Sequence, residues 1–224
     1  QLRKEMVKIL LKRSVIAVDV GSRSVKVLKF IKRNRDIKII DKSRIEITQG
    51  QIVDGEISST ATVSQTLKKG LDRVKFSCEK LITTIPDDGL IIRNIKMPAM
   101  SSTELAKTIE LGSFNDMIPY PIDQLKISYK VTENNADNIK LILVAVRKNI
   151  LNSYLQLFNK LQLKPDVINI QPMAILTLLK HYYQIKQPVI IIKMGFKKSR
   201  IMIADQKNIY LFRTIKFGCN CIKN

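Results

Sequence analysis

The chain has 224 residues, of which 45% are hydrophobic, which is enough for one large domain or two small ones with a buried core. Its longest apolar runs, at 141–146 and 189–192, are far shorter than the roughly 20 residues that span a bilayer. No segment combines a basic start, an apolar stretch and a small-residue cleavage site, as a secretory signal peptide does. We therefore expect a soluble, cytoplasmic protein.

Basic residues outnumber acidic ones by 39 to 19, which gives a net charge of +20. Such an excess attracts nucleic acid, anionic lipid or acidic proteins. The sequence disfavours nucleic acid, because the lysines are scattered over the chain and aromatic residues that could stack on bases make up only 6% of it. Two origins of the charge remain open: a functional basic surface, or a coding sequence biased towards lysine and isoleucine codons.

Residues 1–13 form a leader in which basic residues are denser. Apolar residues recur there near helical spacing, among Arg3, Lys4, Lys8, Lys12 and Arg13. This pattern is typical of an amphipathic helix lying on an anionic membrane surface. It is equally typical of a charged leader whose apolar side packs on the domain. Because the chain starts at Gln1 instead of Met, we expect a fragment or a processed product.

The first part of the domain is predicted to contain a strand hairpin, a third strand, a helix and a buried strand. The hairpin turn is Gly21-Ser-Arg-Ser, and the helix begins at Ser58 or Ser59. In chain order, the five elements are predicted at residues 14–20, 25–31, 37–48, 59–72 and 81–85.

A smaller unit is predicted at residues 89–138. Its segment Ser101-Ser-Thr-Glu104 has the pattern of a capping box and begins a helix that we expect to reach about Met117. Strands at 90–96 and 124–131 flank this helix. The three elements predict a small β-α-β insert.

The main pattern then resumes with a fully apolar strand at 141–146. The pattern continues through two helices and four more strands. It ends in a second strand-turn-strand segment. These elements are predicted at residues 150–161, 167–170, 171–183, 189–192, 200–204 and 209–215. The sequence therefore predicts an α/β protein with an internal duplication. Its parts are a first large subdomain at 14–88 and 139–185, the insert, and the start of a second large subdomain at 186–224.

The segment from Asp19 to Lys26 has the residue types of a phosphate site. A carboxylate at the end of a buried strand can hold Mg²⁺ directly or through water. Gly21 lets the backbone approach a phosphate, whose oxygens can accept from nearby N–H groups and from the hydroxyls of Ser22 and Ser24. Lys26 adds a positive charge on the next strand. The alternative is an ordinary strand-turn-strand with an aspartate in its turn.

Several segments resemble the PilM family of type IV pilus assembly proteins, in the actin, Hsp70 and sugar-kinase superfamily. Asp19-Val-Gly-Ser-Arg-Ser-Val-Lys26 resembles the first phosphate motif of that superfamily. Met97-Pro-Ala-Met-Ser-Ser-Thr-Glu-Leu and Met117-Ile-Pro-Tyr-Pro-Ile-Asp123 resemble the entry and exit of PilM's inserted subdomain. The resemblance extends through Ile52-Val-Asp-Gly-Glu-Ile57, Leu161-Gln-Leu-Lys-Pro165 and Arg213-Thr-Ile-Lys-Phe-Gly218, and thus over nearly the whole chain.

The resemblance implies an actin-like (RNase H-like) fold that closes around ATP and Mg²⁺. It also implies a scaffold at the inner face of the cytoplasmic membrane, attached to a pilus or secretion platform. Such a scaffold captures the N-terminal peptide of PilN, an inner-membrane protein, in a groove between the first large subdomain and the insert. The implied phosphate residues are Asp19, with Mg²⁺, and Gly21, Ser22, Ser24, Lys26, Lys193 and Gly195. The implied groove residues are Met97, Pro98, Ile118, Pro119, Tyr120 and Pro121.

Two features depart from the family pattern. The second phosphate motif of the superfamily starts with an aspartate, and this chain has Lys193 there, before Met194 and Gly195. A lysine cannot organise Mg²⁺ and water for hydrolysis, although it can pair with a phosphate oxygen or fill the empty site. The family's second half, which contacts adenosine, is expected to lie beyond Asn224. At most a weak ATPase is therefore expected.

Three further functions remain as alternatives. The first is a degenerate scaffold that no longer binds nucleotide, as in the cytoplasmic part of the secretion protein GspL. The second is a cell-division tether of the FtsA kind, although 217–224 is too short and unpatterned for a membrane-binding helix. The third is a small-molecule kinase of the same superfamily, for which the sequence offers no convincing catalytic carboxylate.

Overall fold

The computed structural model describes residues 14–33, 36–77, 80–112, 114–183, 187–206 and 208–222. The predicted leader at 1–13 lies outside these residues. The chain forms two compact units, each made of two segments. The first unit comprises Gln1–Pro86 and Asn152–Gln171, and the second comprises Asp87–Leu151 and Pro172–Asn224.

A mixed five-stranded sheet forms the centre of the first unit. Its strands are β1 (Ser14–Val20), β2 (Ser24–Arg33), β3 (Asp36–Glu46), β6 (Lys80–Ile85) and β10 (Val167–Ile170). They are arranged in the order β10-β6-β1-β2-β3. The predicted β1–β2 hairpin is confirmed as an antiparallel pair, while β6 runs parallel to both β1 and β10. The carboxyl ends of β1, β6 and β10 therefore lie at one edge of the sheet.

A helix and a short hairpin follow β3 in the first unit. The hairpin consists of β4 (Ile52–Val53) and β5 (Glu56–Ile57), and the helix is α1 (Thr60–Arg73). Asp54 and Gly55 have φ angles of 46° and 86°, as the turn of a two-residue hairpin requires. The helix packs on β2 and β3 through a stripe of buried residues at helical spacing. This stripe consists of Val63, Leu67, Gly70 and Leu71.

The insert in the second unit contains three strands instead of the two that were predicted. They are β7 (Ile91–Pro98), β8 (Leu125–Asn134) and β9 (Asn138–Arg147), in the order β7-β9-β8. The expected boundary at 138/139 assigned β9 to the large subdomain, whereas its pairing assigns it to the insert. Its apolar run reflects a central position, with β7 and β8 bonded to its two edges and side chains buried on both faces.

Helix α2 (Ser102–Glu110) covers the insert sheet. The predicted capping box is confirmed, since Ser101 Oγ accepts the Glu104 N–H at 3.2 Å and Glu104 Oε2 accepts the Ser101 N–H at 2.8 Å. The predicted end near Met117 is wrong. The helix ends seven residues earlier by sequence, at Glu110, because Gly112 turns the chain with a φ of 76°. A 3₁₀ turn at Asn115–Met117 then leads to the proline segment.

The rest of the second unit is a helix followed by an antiparallel meander. This helix is α4 (Gln171–Tyr182). Another helix, α3 (Lys148–Lys160), comes earlier in the chain, between β9 and β10. The strands β11 (Val189–Met194), β12 (Ser199–Ala204) and β13 (Ile209–Ile215) pair in sequential order. Leu176, Met202, Ala204 and Ile209 form the buried cluster between helix and strands. Among the described residues, no helix is both long and apolar enough to cross a bilayer.

Candidate functional site

Asp19 lies near the end of β1, at the sheet edge where the parallel strands finish. Its Oδ2 lies 2.9 Å from Lys26 Nζ, on the strand position directly opposite. Its Oδ1 accepts Gln171 Nε2 at 3.1 Å and Thr84 Oγ1 at 3.5 Å. The Asp19 side chain nevertheless keeps 35% of its surface exposed. One carboxylate is thus held in place by three neighbours and remains accessible to a ligand.

The turn after Asp19 is closed by the backbone. The Gly21 N–H donates to the Ser24 carbonyl at 3.1 Å, and the Ile47 N–H donates to the Arg23 carbonyl at 2.8 Å. A Cβ at Gly21 would lie 3.5 Å from the Ser24 carbonyl oxygen, which is an ordinary contact. The fold alone therefore does not require glycine at position 21. A ligand that came close to this backbone would require it.

The two candidate serines differ in exposure. Ser24 begins β2 and is 4% exposed, whereas Ser22 is half-buried at the tip of the turn. Of the two hydroxyls, Ser22 is the one that the turn presents to solvent. Below the turn, the hydroxyl of Tyr154, a residue 1% exposed, donates to the Val20 carbonyl at 3.0 Å. Helix α3 thus supports the turn from the core.

This arrangement fits a magnesium-bound phosphate. Mg²⁺ in nucleotide sites is held by one or two carboxylates and the phosphates themselves, and it keeps several waters. The single exposed carboxylate of Asp19 matches that donor set. Lys26, with 54% of its side chain exposed, provides a cation beside it. When bound, Mg²⁺ would neutralise phosphate charge, while Asp19 positions the ion and Lys26 attracts the phosphate.

The second hairpin repeats the geometry of the first with different charges. Lys193 lies opposite Arg200 in the β11–β12 pair, as Asp19 lies opposite Lys26 in β1–β2. The Gly195 N–H donates to the Lys198 carbonyl at 3.0 Å. A Cβ at Gly195 would lie only 2.6 Å from that carbonyl oxygen, so glycine is required by the turn itself. The hairpin thus holds two cations where its counterpart holds an ion pair.

The missing negative charge is supplied by Asp87 and Asp88, which directly follow Pro86. Asp87 Oδ2 lies 3.1 Å from Arg200 Nε and 3.7 Å from Lys193 Nζ. Asp88 pairs with Lys198 at 2.5 Å and with Arg200 Nη2 at 3.4 Å. The side chains of Asp87 and Asp88 are 1% and 16% exposed, respectively. Two carboxylates of the second unit thus pair with three cations of its hairpin and offset most of their charge.

The predicted partner surface lies on the segments that enter and leave α2. Ile118 is 7% exposed and belongs to the buried core of the insert, whereas Tyr120 is 38% exposed. The Arg93 Nε donates to the Met117 carbonyl at 3.1 Å, and the Arg147 guanidinium carbon lies 6.0 Å from the Tyr120 ring centroid. Met97 is half-buried, and the remaining predicted groove residues, Pro98, Pro119 and Pro121, are exposed.

Sequence reasoning missed the long-range partners of both hairpins. Thr84 and Gln171 lie at the carboxyl ends of β6 and β10, the strands parallel to β1. Since ligands of such sheets bind outside the carboxyl ends of the strands, this position was the signal that could have found them. Asp87 and Asp88 carried no comparable signal, because an Asp-Asp-Gly segment is also typical of a turn.

Solved structures that resemble this chain have the actin-like fold. The PilM-PilN type IV pilus biogenesis complex matches with a TM-score of 0.82 and 15% identity, over 92% of this chain and 62% of that chain. The cytoplasmic domain of EpsL, from the type II secretion system of Vibrio cholerae, matches with a TM-score of 0.54 and 10% identity, over 91% and 71%. A Bacteroides thetaiotaomicron protein with an actin-like ATPase fold and unknown function matches with a TM-score of 0.53 and 9% identity, over 94% and 72%.

The architecture is therefore that of an actin-like protein carrying a small inserted sheet. The family model of the type IV pilus assembly protein PilM matches residues 17–224, which is nearly the whole chain. The chain belongs to the PilM family, and the resemblance inferred from its motifs is confirmed. It spans about three fifths of the length of the PilM-PilN chain that it matches, which is covered to 62%.

Proposed function

We propose that the protein is a cytoplasmic scaffold for type IV pilus assembly that captures the N-terminal peptide of a PilN-like inner-membrane protein. The support comes from the insert. Its Pro119–Pro121 segment is exposed and rigid, because two prolines restrict the backbone. Arg147 lies over its Tyr120 ring, and Arg93 holds the carbonyl of Met117 just before the segment. Tyr120 offers a half-exposed ring of the kind enriched in peptide-binding surfaces. The similar structure of a PilM-PilN complex makes a PilN-like peptide the natural partner to test.

The same proposal gives the first hairpin the role of a phosphate site for Mg²⁺-ATP. The observation that carries it is the Asp19 carboxylate, which is positioned by Lys26, Thr84 and Gln171 and yet remains open to solvent. ATP binding would then favour one arrangement of the scaffold over another, provided that its affinity differs between them. The second hairpin has Lys193 where a carboxylate for hydrolysis would stand in its strand, so binding with little turnover is expected.

A degenerate scaffold without nucleotide is the second candidate. It is favoured by the ion-pair cluster of the second unit, in which Lys193 contacts Asp87. A phosphate at that hairpin would have to compete with carboxylates that are already in place. Peptide capture through the insert is common to both candidates.

Calorimetry separates the two candidates. The chain is titrated with ATP, with and without Mg²⁺, and then with a synthetic peptide carrying the N-terminal residues of the organism's PilN-like protein. Micromolar, Mg²⁺-dependent ATP binding supports the nucleotide-binding scaffold. Peptide binding without any response to millimolar ATP supports the degenerate scaffold. Failure to bind the peptide contradicts the proposed function.

Matched tyrosine variants locate the peptide site. Tyr120 and Tyr129 are 38% and 36% exposed, and both belong to the insert. Tyr120→Ala should weaken peptide binding about ten-fold, or about 1.4 kcal/mol, whereas Tyr129→Ala should leave it nearly unchanged. Ile118 is not suitable for this comparison because it is part of the core, and its truncation tests folding together with binding. If the two tyrosine variants weaken peptide binding equally, the peptide site does not lie at Tyr120.

A further inference from the structure

A cavity of about 880 Å³ lies in the first unit, at the end of the sheet remote from Asp19. Ser14, the first residue of β1, donates its hydroxyl to the carbonyl of Ser77, which lines the cavity. Asp19 lies five strand positions further along β1, a distance of roughly 17 Å. The volume is within the range of about 300–1,000 Å³ that is typical of ligand sites. The cavity is therefore separate from the candidate phosphate site.

The cavity combines an apolar floor with a cationic rim. Its apolar lining is Leu71, Phe76, Leu161 and Leu163, and its charged lining is Lys29, Lys68, Lys75, Lys160 and one acidic residue, Asp72. Four lysines against one aspartate give a formal excess of three positive charges. The C-terminal ends of α1 and α3 offset this excess by about half a charge each. The cavity remains cationic after that correction.

The four lysines differ in exposure, and one of them is committed to the fold. Lys29 is half-buried, and its Nζ donates to the Lys75 carbonyl at 2.9 Å and to Ser77 Oγ at 3.1 Å. Lys68, Lys75 and Lys160 are exposed. Three exposed lysines therefore line the cavity: Lys68 within α1, Lys75 just after it, and Lys160 at the end of α3.

Both helices end in an unusual way at this cavity. The N–H groups of Lys75 and Phe76 donate to Asp72 and Leu71 at the end of α1, and those of Gln162 and Leu163 donate to Asn159 and Phe158 at the end of α3. This bonding is the Schellman motif, whose left-handed position is usually glycine. Here it is occupied by Lys75, with φ 48°, and by Gln162, with φ 56°. Both residues line the cavity, which places side chains on its rim at a cost in backbone strain.

We propose that this cavity binds an acidic peptide segment of a partner protein, with an apolar side chain seated on the leucine and phenylalanine floor. The concave shape disfavours a flat bilayer surface. A single phosphate would contact few of the lysines, which are spread along α1, the residues after it and the end of α3, and it would leave the apolar floor uncovered. An extended acidic segment can reach the separate ammonium groups and bury an apolar residue between them. This site uses neither the Asp19 hairpin nor the insert, so it is independent of the proposed peptide capture.

Fluorescence anisotropy with a defined probe tests the site. The probe is a fluorescein-labelled peptide, Glu-Asp-Glu-Leu-Glu-Asp-Phe-Glu-Asp-Glu, and its control carries serine in place of leucine and phenylalanine. The double variant Lys68→Glu/Lys160→Gln removes cations that line the cavity. The matched variant Lys69→Glu/Lys107→Gln makes the same formal charge change at exposed lysines outside it, on a neighbouring helix position and in the last turn of another helix.

The cavity variant should bind the probe about ten-fold more weakly than the wild type, a loss of about 1.4 kcal/mol, and the matched variant less than about two-fold. The serine peptide should bind several-fold more weakly to the wild type. Equal loss in both variants would mean diffuse attraction by a basic protein and overturn the proposal. Absence of probe binding to the wild type would also overturn it.

Two further measurements guard against other ligands and against misfolding. Vesicles of one part phosphatidylglycerol to two parts phosphatidylcholine, and an oligothymidylate of the same charge as the probe, are tested with the same variants. If the cavity variant loses binding to the vesicles or to the oligothymidylate while its binding of the peptide is unchanged, the cavity is assigned to lipid or nucleic acid and the proposal is overturned.

The variant Lys75→Gly tests the rim without the risk of misfolding. It relieves the left-handed backbone strain, so it should keep or raise the melting temperature while it binds the probe more weakly. Unchanged probe binding in this variant counts against a role for the rim.

Discussion

The Lys193 ammonium nitrogen lies 3.7 Å from Oδ2 of Asp87, a carboxylate whose side chain is 1% exposed. The same oxygen lies 3.1 Å from Arg200 Nε. In the first hairpin the carboxylate, Asp19, is part of the strand and pairs with Lys26, which lies directly opposite. In the second hairpin the strand contributes cations and the carboxylate comes from another segment. The two hairpins thus share their strand register and turn bonding while their charges are arranged differently.

Neutralising Asp87 should destabilise the second unit. Asp87→Asn leaves the Asp88 carboxylate in contact with Lys198 and Arg200. It removes the carboxylate, 1% exposed, that lies beside both Arg200 and Lys193. Arg200 is only 13% exposed, and a nearly buried cation that loses part of its counter-charge is costly. We expect the free energy of unfolding, measured by urea denaturation, to fall by about 2–4 kcal/mol. Asp88→Asn is the control, because its carboxylate is 16% exposed, so water can partly replace it, and its loss should cost less, about 1–2 kcal/mol. Equal costs would mean that burial does not set the strength of this cluster.

The two turn glycines should respond differently to alanine. A Cβ at Gly195 would lie 2.6 Å from the Lys198 carbonyl oxygen, so the turn has to shift, and Gly195→Ala should cost about 1–3 kcal/mol in urea denaturation. At Gly21 the corresponding distance is 3.5 Å, and Gly21→Ala should be tolerated. If phosphate approaches this backbone closely, Gly21→Ala will weaken ATP binding without loss of stability. A stable Gly195→Ala variant would contradict the close contact.

Local patterns predicted the elements well, because short-range chemistry determines them. The β1–β2 hairpin follows from two apolar runs around a Gly/Ser turn, and the capping box at Ser101 follows from residues that are three positions apart. The end of α2 was misplaced because apolar spacing continues past Gly112, whose positive φ ends the helix. Pattern alone thus located elements more reliably than their ends.

Non-local pairing was less accessible to sequence reasoning. The apolar run of β9 indicates burial on both faces, but it does not specify that β7 and β8 are the strands on either side. In the first hairpin, Asp19 and Lys26 were identified because they are strand neighbours. Gln171, which holds Asp19 Oδ1 from 152 positions away, was not. The rule that parallel strands share one ligand edge would have narrowed that search.

The insert should lose the stabilisation that Glu104 provides when the pH is lowered. Its pKa lies below the ordinary 4.5 because its carboxylate accepts the backbone N–H of Ser101, with a further contribution from the Ser101 side chain. A lowered pKa stabilises the fold at pH values above 4.5, and this contribution is lost as the pH falls through the folded-state pKa. Glu104→Gln should therefore lower the melting temperature at neutral pH and make no difference in strong acid. Glu110→Gln, at the other end of α2, should not lower it, since a negative charge there opposes the helix dipole. Equal melting curves for Glu104→Gln and wild type at neutral pH would contradict the assignment.

Asp19→Asn should remove the Mg²⁺ dependence of ATP binding while the fold persists. The amide oxygen can still accept from Gln171 and Thr84, and the lost ion pair with Lys26 is half-exposed, so its loss should cost no more than about 1 kcal/mol. Lys26→Gln breaks the same ion pair but keeps the carboxylate, and it should weaken ATP binding equally with and without Mg²⁺. Calorimetric titration and thermal denaturation of the two variants provide the comparison. A much larger drop in melting temperature for Asp19→Asn than for Lys26→Gln would mean that the carboxylate is structural and that the first hairpin is not a phosphate site.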